Sequence, residues 1–176
     1  MPMSAKRQLI IAEIPRLRRF ARGLARDPVL ADDLVQDCLE RALQRVHLWQ
    51  SGTNMRAWLF TILRNLYINQ IRKQTRRGVE TPYDEMLDSA GSTGPNQEQS
   101  LAVRDMKQAL AQLPEDQRET LLLVGLEGMS YKETAEIQGV PVGTVMSRLS
   151  RGRQALRHLM EVGTTAPKNS RLRRVK

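Results

Sequence analysis

The chain has one cysteine, Cys38, and two histidines, His47 and His158, in 176 residues. A single thiol forms no internal disulfide, and no second Cys or His stands near it at the spacing of a metal site. Neither a disulfide-stapled fold nor a zinc module is expected, and no metal or cofactor is called for. Aromatic residues make up only 4% of the chain. A β-sandwich core draws on Val, Thr, Tyr and Phe; a core built mainly from Leu, Ile, Val, Ala and Met suits helices packed on helices. Long apolar runs are also missing, since about 18 consecutive apolar residues are needed to cross a bilayer. The short apolar patch near the N-terminus is broken by Glu13, unlike a signal peptide. No membrane insertion is expected, and the cytoplasm is the expected compartment.

What the chain has in excess is positive charge, a formal net of +9. That balance points to a polyanionic partner, nucleic acid or an acidic membrane surface. The charge is unevenly spread. Residues 1–77 carry a net +9, residues 78–100 carry −5 with no Lys or Arg, residues 101–140 carry −3, and residues 141–176 carry +8. Two basic blocks are therefore held apart by acidic ones. The stretch 78–100 is also rich in Gly, Pro, Ser and Asn and has no sustained helical period, so it reads as a linker. It leaves an N-terminal part of about 75 residues and a C-terminal part of about 60, each small enough to need support from a partner.

In the N-terminal part, Leu17, Phe20, Ala21 and Leu24 fall on one helical face, predicting a helix that Pro15 opens at its first turn. Asp27-Pro28 interrupts it. A second helix carries Leu30, Leu34, Cys38 and Ala42 inward and Asp32, Asp33, Asp37 and Glu40 on its other side. A carboxylate row repels phosphate, so it should face a protein partner. A third helix runs from about Met55 to Gln74 and ends in a basic run with Arg72 and Lys73. Asn54, Arg56, Arg64, Asn65 and Asn69 supply hydrogen-bonding groups near the rings of Trp49, Trp58 and Tyr67, of which Trp58 lies on the apolar stripe and is read as core. Together they suggest a site for unpaired bases, held by stacking and by bonds to their edges.

The C-terminal part is more specific. One helix ends at Pro114 and another spans about Asp116 to Leu126. Ser130 with Glu133 then forms a capping box that starts a short helix, and Gly139 closes it with a left-handed cap. After Val140-Pro141 the last helix begins. Val145, Leu149, Gly152 and Leu156 line its inner side, while Ser147, Arg148, Ser150, Arg151 and Arg153 cover the rest. Short helix, tight turn and basic second helix make a helix-turn-helix, whose second helix enters the DNA major groove. Arg can bond guanine bidentately, Ser or Thr can approach any base, and further Arg side chains hold phosphates. The tail TTAPKNSRLRRVK is basic and patternless.

Three strings, LADDLVQDCLERAL, NMRAWLFTILRNLYINQIRK and LPEDQRETLLLVGLEGMSYKETAEIQGVPVGTVMSRLSRGRQAL, resemble the extracytoplasmic-function sigma factors of RNA polymerase, in order and separation. The likeness spans nearly the whole chain apart from the first several residues, the linker and the tail. It implies an all-α fold of two small helical domains. These are a region 2 bundle over 1–77 and a region 4 helix-turn-helix over 101–162, joined by a flexible acidic linker over 78–100, with a basic tail over 163–176.

The same resemblance implies that Asp33, Gln36, Asp37 and Glu40 dock on the β′ clamp helices of core RNA polymerase, with the β subunit as a further contact. Asn65 and Asn69 match positions that capture a flipped base of the −10 element. Asn54, Met55 and Arg56 match its specificity loop, and Arg64, Arg72 and Lys73 lie beside them on the −10 side. Taking a base out of the stack also melts the duplex. Thr144, Met146, Ser147, Arg148, Ser150 and Arg151, with Arg153 alongside, match the helix that reads the −35 element. A stress or envelope response and an anti-sigma factor that masks these surfaces are implied on the same ground. Met146 departs from the Lys or Arg many members carry, leaving apolar contact with a thymine methyl. Gly152 departs from the commoner Ala at a cost of about 1 kcal/mol of helix propensity.

A free-standing helix-turn-helix regulator is the alternative, although such proteins usually dimerise to read two half-sites and no dimerisation element is evident. An enzyme acting on nucleic acid would need paired carboxylates, a metal cluster or a nucleophile with its base. His47 and His158 are isolated, so no catalytic residues are expected.

Overall fold

The structure, a computed structural model, describes residues 2–76 and 97–165. Among them are seven α-helices and one π-helical turn: α1 (Met3–Ala25), α2 (Pro28–Arg45), α3 (Met55–Arg76), α4 (Gln97–Gln112), α5 (Glu115–Leu121), the π turn (Leu122–Leu126), α6 (Tyr131–Gln138) and α7 (Val142–Thr165). None is long and apolar enough to cross a membrane. The basic tail from residue 166 on and most of the expected linker lie outside the described residues. Helix α4 begins at Gln97, inside the stretch read as linker.

Helices α1, α2 and α3 pack on one another. Phe20 of α1 and Phe60 of α3 meet at 4.9 Å between ring centroids, tilted by 50°, and Leu17, Leu24, Leu59 and Leu63 fill the space around them. Each such side chain contributes about 1.5–3 kcal/mol by leaving water. Cys38 belongs to this core and is fully buried. Burial pushes its thiol up to about 12.

Helix α1 corrects the expectation that Pro15 starts it. It begins at Met3 and carries Pro15 in its interior. A proline there removes one backbone bond and crowds the preceding turn, at a cost of about 3 kcal/mol. Packing on the N-terminal side offsets that cost. Ile10 is 1% exposed, and the Lys6 ammonium donates to the Trp49 carbonyl at 3.0 Å while lying 5.4 Å from the Trp49 ring. The interruption expected at Asp27-Pro28 falls between α1 and α2, and the structure adds a cap there. Asp27 caps α2 by accepting from Val29 N–H at 2.8 Å, and Pro28 takes the first helical position.

In the second half α5, α6 and α4 all pack against α7. Ser130 accepts from Glu133 N–H and Glu133 accepts from Ser130 N–H, the reciprocal capping box expected at the start of α6. Gly139 ends that helix at φ 66°, where a Cβ would be strained. Gly152 sits where α7 crosses α5. A Cβ there would stand 3.0 Å from Leu121 Cδ1 and 3.4 Å from Gln117 Cβ. The missing methyl thus buys a close crossing in exchange for helix propensity.

The two halves touch. Leu122, Leu123, Met129 and Ile137 join the core of the first three helices, α3 packs on α6, and α1 packs on the π turn. Gly23 of α1 makes room there, since a Cβ would approach Leu122 Cδ2 to 2.8 Å.

Candidate nucleic-acid interface

Helix α2 buries Ala31, Leu34, Val35, Cys38 and Ala42, which turns Asp33, Gln36, Asp37 and Glu40 to the exposed side together. Asp32 is engaged by Arg22 of α1 at 3.7 Å, and Glu40 accepts from Gln44 at 3.1 Å. Asp33 and Asp37 complete a carboxylate row beside an open groove between α1 and α2, lined by Arg18, Val35, Gln36, Leu39 and Leu43. This surface combines negative charge with apolar side chains, a pairing suited to protein and not to phosphate.

Helix α3 splits the residues expected on the −10 side into two groups. Asn65, Asn69, Arg72 and Lys73 are exposed. The two amides lie four residues apart, so they share a helix face. The other four are engaged or buried. Asn54 caps α3 by accepting from Arg56 N–H at 3.0 Å and Ala57 N–H at 3.3 Å, and its amide nitrogen donates to Glu133 of α6. Arg56 is held by Glu13 at 3.1 Å and donates to the Glu127 carbonyl at 3.4 Å. Arg64 meets Glu119 of α5 at 2.5 Å. Met55 is 7% exposed and belongs to the core, so its side chain reaches no outside partner here.

The expected stacking rings are also displaced. Trp49 and Tyr67 are each 5% exposed. Trp49 lies under Lys6, and the Tyr67 hydroxyl accepts from Arg118 at 3.4 Å. Amphipathic rings close a core as readily as they stack on bases, and here they do the former.

Charged residues of the C-terminal half meet these groups. Glu127, at the end of the π turn, accepts from Arg19 Nε and Nη2, each at 3.2 Å, in a fork. The Glu127 bond and its closeness hold the Arg19 guanidinium above its usual pKa. Glu119 is 5% exposed, and burial raises its carboxyl even though Arg64 pulls it the other way. Arg118 is 2% exposed; it donates to the Leu24 carbonyl at 3.1 Å and leaves Nε and Nη1 without protein partners. Burial and then Arg26 lower its pKa. The one local clue is position: Arg118 and Glu119 share the helical face of Leu122, where apolar residues belong.

On α7, Met146 is 53% exposed, with Ser150, Arg151 and Arg153 on the same open side. Tyr131, Met146, Leu149, Ser150, Arg153 and Arg157 line a shallow groove between α6 and α7. Thr144 and Ser147 are half-buried, and Ser147 donates to the Thr144 carbonyl at 3.0 Å. Arg151 folds back on Ser147 at 3.3 Å. Arg148 differs from its neighbours. Its guanidinium bonds Asp116 at 3.1 Å and Gln138 at 3.4 Å, which ties α7 to α5 and α6.

Two family models match the chain, the sigma2 domain of PhyR over residues 10–64 and sigma-70 region 4 over residues 104–156. The chain is 44% identical over 163 residues to the ECF RNA polymerase sigma factor EcfG of Rhodopseudomonas palustris (strain TIE-1), covering 92% of this chain and 89% of that one. It is 32% identical over 150 residues to the ECF RNA polymerase sigma factor SigM of Bacillus subtilis (strain 168), covering 82% and 88%. Among solved structures it resembles the sigma factor RpoE in complex with the anti-sigma factor NepR from Bartonella quintana. The TM-score is 0.75 and the identity 39%, over 88% of this chain and 96% of that one. CnrH, solved with the cytosolic domain of CnrY, gives a TM-score of 0.67 at 25% identity, over 92% and 90%.

Proposed function

The chain belongs to the extracytoplasmic-function RNA polymerase sigma factors, which direct core polymerase to promoters, and from that membership we propose how its surfaces share the task. Residues 1–77 form the docking and −10 unit, 78–100 the tether, 101–162 the −35 unit and 163–176 a basic tail. Asp33, Gln36, Asp37 and Glu40 dock on the β′ clamp helices. Asn65 and Asn69 hold a base flipped from the −10 element, while Arg72 and Lys73 track the backbone. Asn54, Arg56 and Arg64 complete that site once their intramolecular partners leave. Met146, Ser147, Ser150, Arg151 and Arg153 face the −35 duplex, with Thr144 at the helix start. Arg148 serves that helix by orienting it as much as by touching a base.

The observation that carries this reading is the pairing of two exposed surfaces of opposite character on adjacent helices. A carboxylate row on α2 and an amide pair with two cations on α3 lie on one small bundle. A DNA-binding bundle alone has no use for the first. The chain needs no reacting group of its own: it spends binding energy on an unpaired base, and a base held out of the stack cannot re-pair cheaply. An anti-sigma factor is the natural regulatory partner, since the two solved relatives named above are each held by a second protein. The site of action is the cytoplasm, in a stress or envelope response.

Run-off transcription with purified core polymerase and a genomic promoter library tests the assignment. Promoter-dependent product is expected with the native chain. Asn65→Ala with Asn69→Ala should abolish product while leaving polymerase capture intact. Asp33→Lys with Asp37→Lys should abolish capture itself. Undiminished product from either pair would remove that surface from the mechanism.

A further inference from the structure

We propose that Gln138, the last residue of α6, is a positioning residue for −35 recognition: buried behind α7, it holds Arg148 and so sets how that helix is turned towards the duplex. This rests on the −35 reading given above and carries the orienting role of Arg148 to its source. Gln138 is 4% exposed. Its amide nitrogen donates to the Thr120 hydroxyl at 3.0 Å, and that hydroxyl gives its one proton to the Asp116 carbonyl at 2.7 Å. The Gln138 carbonyl oxygen is thereby turned towards α7, where it accepts from Arg148 Nη1 at 3.4 Å. The Asp116 carboxylate takes the other side of the same guanidinium, accepting from Nε at 3.1 Å, while its second oxygen accepts from Gln117 N–H at 2.9 Å. A closed ring of polar contacts therefore runs through Gln138, Thr120, Asp116 and Arg148 and joins α5, α6 and α7. Burying an amide is costly unless both its ends are bonded, and here both are. A leucine would fill the same space without that cost, so the value of glutamine lies in direction.

Successive helix residues advance by about 100°, which puts Arg148 about 60° from the direction of Val145 and Ser147 about 160° from it. Val145 and Leu149 are 0% and 2% exposed and mark the inward side. Arg148 flanks that stripe on one edge, and Met146, 53% exposed, flanks it on the other. Apolar contacts are non-directional and let a helix roll on its neighbours. A planar guanidinium fixed by acceptors from two different helices resists that roll. Gly152, one turn further on, admits α7 close to Leu121 and Gln117 of α5, which keeps Arg148 within reach of Asp116. A guanidinium that already holds a carboxylate gains little by exchanging it for a base edge. Arg148 fixes the angle of the helix, and Met146, Ser147, Ser150 and Arg151 meet the duplex at that angle.

The test uses holoenzyme reconstituted from core polymerase and the full chain. Promoter DNA from the run-off assay is randomised over the −35 hexamer, and sequencing of the bound fraction gives a preference at each base pair. Three single variants are compared with the native chain. Gln138→Leu keeps the volume and removes both hydrogen bonds; Asp116→Asn weakens the other hold at a side chain 48% exposed, where the core is not at risk. The third is Arg148→Ala. Each should lower discrimination at several adjacent base pairs together, by roughly ten-fold between the best and poorest hexamers. Arg148→Ala should add little to Gln138→Leu, because both open the same ring. A loss confined to one base pair in Arg148→Ala, with native preference in Gln138→Leu, would make Arg148 a base reader and overturn the positioning. A lower urea midpoint with an unchanged preference profile in Gln138→Leu and Asp116→Asn would reduce the ring to a stabilising contact and overturn it too. No hexamer preference from the native holoenzyme would reject the −35 reading itself, and the positioning with it.

Discussion

Gly152→Ala sets two effects of known size against each other. In an isolated helix the change should stabilise by about 1 kcal/mol, because Ala is the better helix former. In this fold the new methyl would stand 3.0 Å from Leu121 Cδ1, 3.3 Å from its Cγ and 3.4 Å from Gln117 Cβ. Overpacking of that kind costs about 1–3 kcal/mol. The expected net is a destabilisation of about 1 kcal/mol, opposite in sign to the propensity. A double-mutant cycle isolates the cause. With Leu121→Ala the two closest contacts vanish, and Gly152→Ala should then stabilise by its full propensity, about 1 kcal/mol. The coupling is therefore about 2 kcal/mol. Urea unfolding followed by circular dichroism measures all four proteins, provided the denaturant slope stays constant across them. Equal effects of Gly152→Ala in both backgrounds would refute the crossing as the reason for glycine, and so would a stabilised single variant.

Two further outcomes follow from buried groups. Burial raises the Glu119 carboxyl, so the folded state holds that proton more tightly than the unfolded one. Its contribution is fully present below the unfolded value of about 4.3 and is lost as pH rises through the folded value. Relative to Glu119→Gln, the native chain should gain stability as pH falls from neutral towards that value; parallel curves of urea midpoint against pH would contradict this. Cys38 is fully buried and its thiol is pushed up to about 12. Iodoacetamide at mildly alkaline pH should modify it only on unfolding, as read by intact mass; labelling at the rate of a free thiol would show an open core.

Short-range features were legible in the amino-acid order. The Asp27-Pro28 break, the Ser130–Glu133 box, the left-handed Gly139 and the amphipathic stripes of α2, α3 and α7 each rest on residues within a few positions of one another. Hydrogen bonding and helical period act over that range, so the chain order alone determines them. The helix-turn-helix, the carboxylate row and the exposed Asn65–Asn69 pair were visible for the same reason. What tertiary structure decided is which polar and aromatic residues stay on the surface. Pro15 is carried inside α1 because Lys6 and Ile10 find partners on the bundle. Trp49 and Tyr67 go inward because neighbouring elements cover them, and Arg148 is drawn towards Asp116 on α5. The pairs Arg64–Glu119, Asn54–Glu133 and Arg19–Glu127 join positions 55, 79 and 108 residues apart. A helix fixes the direction of each side chain, but only the arrival of a distant surface determines whether water, protein or DNA meets it.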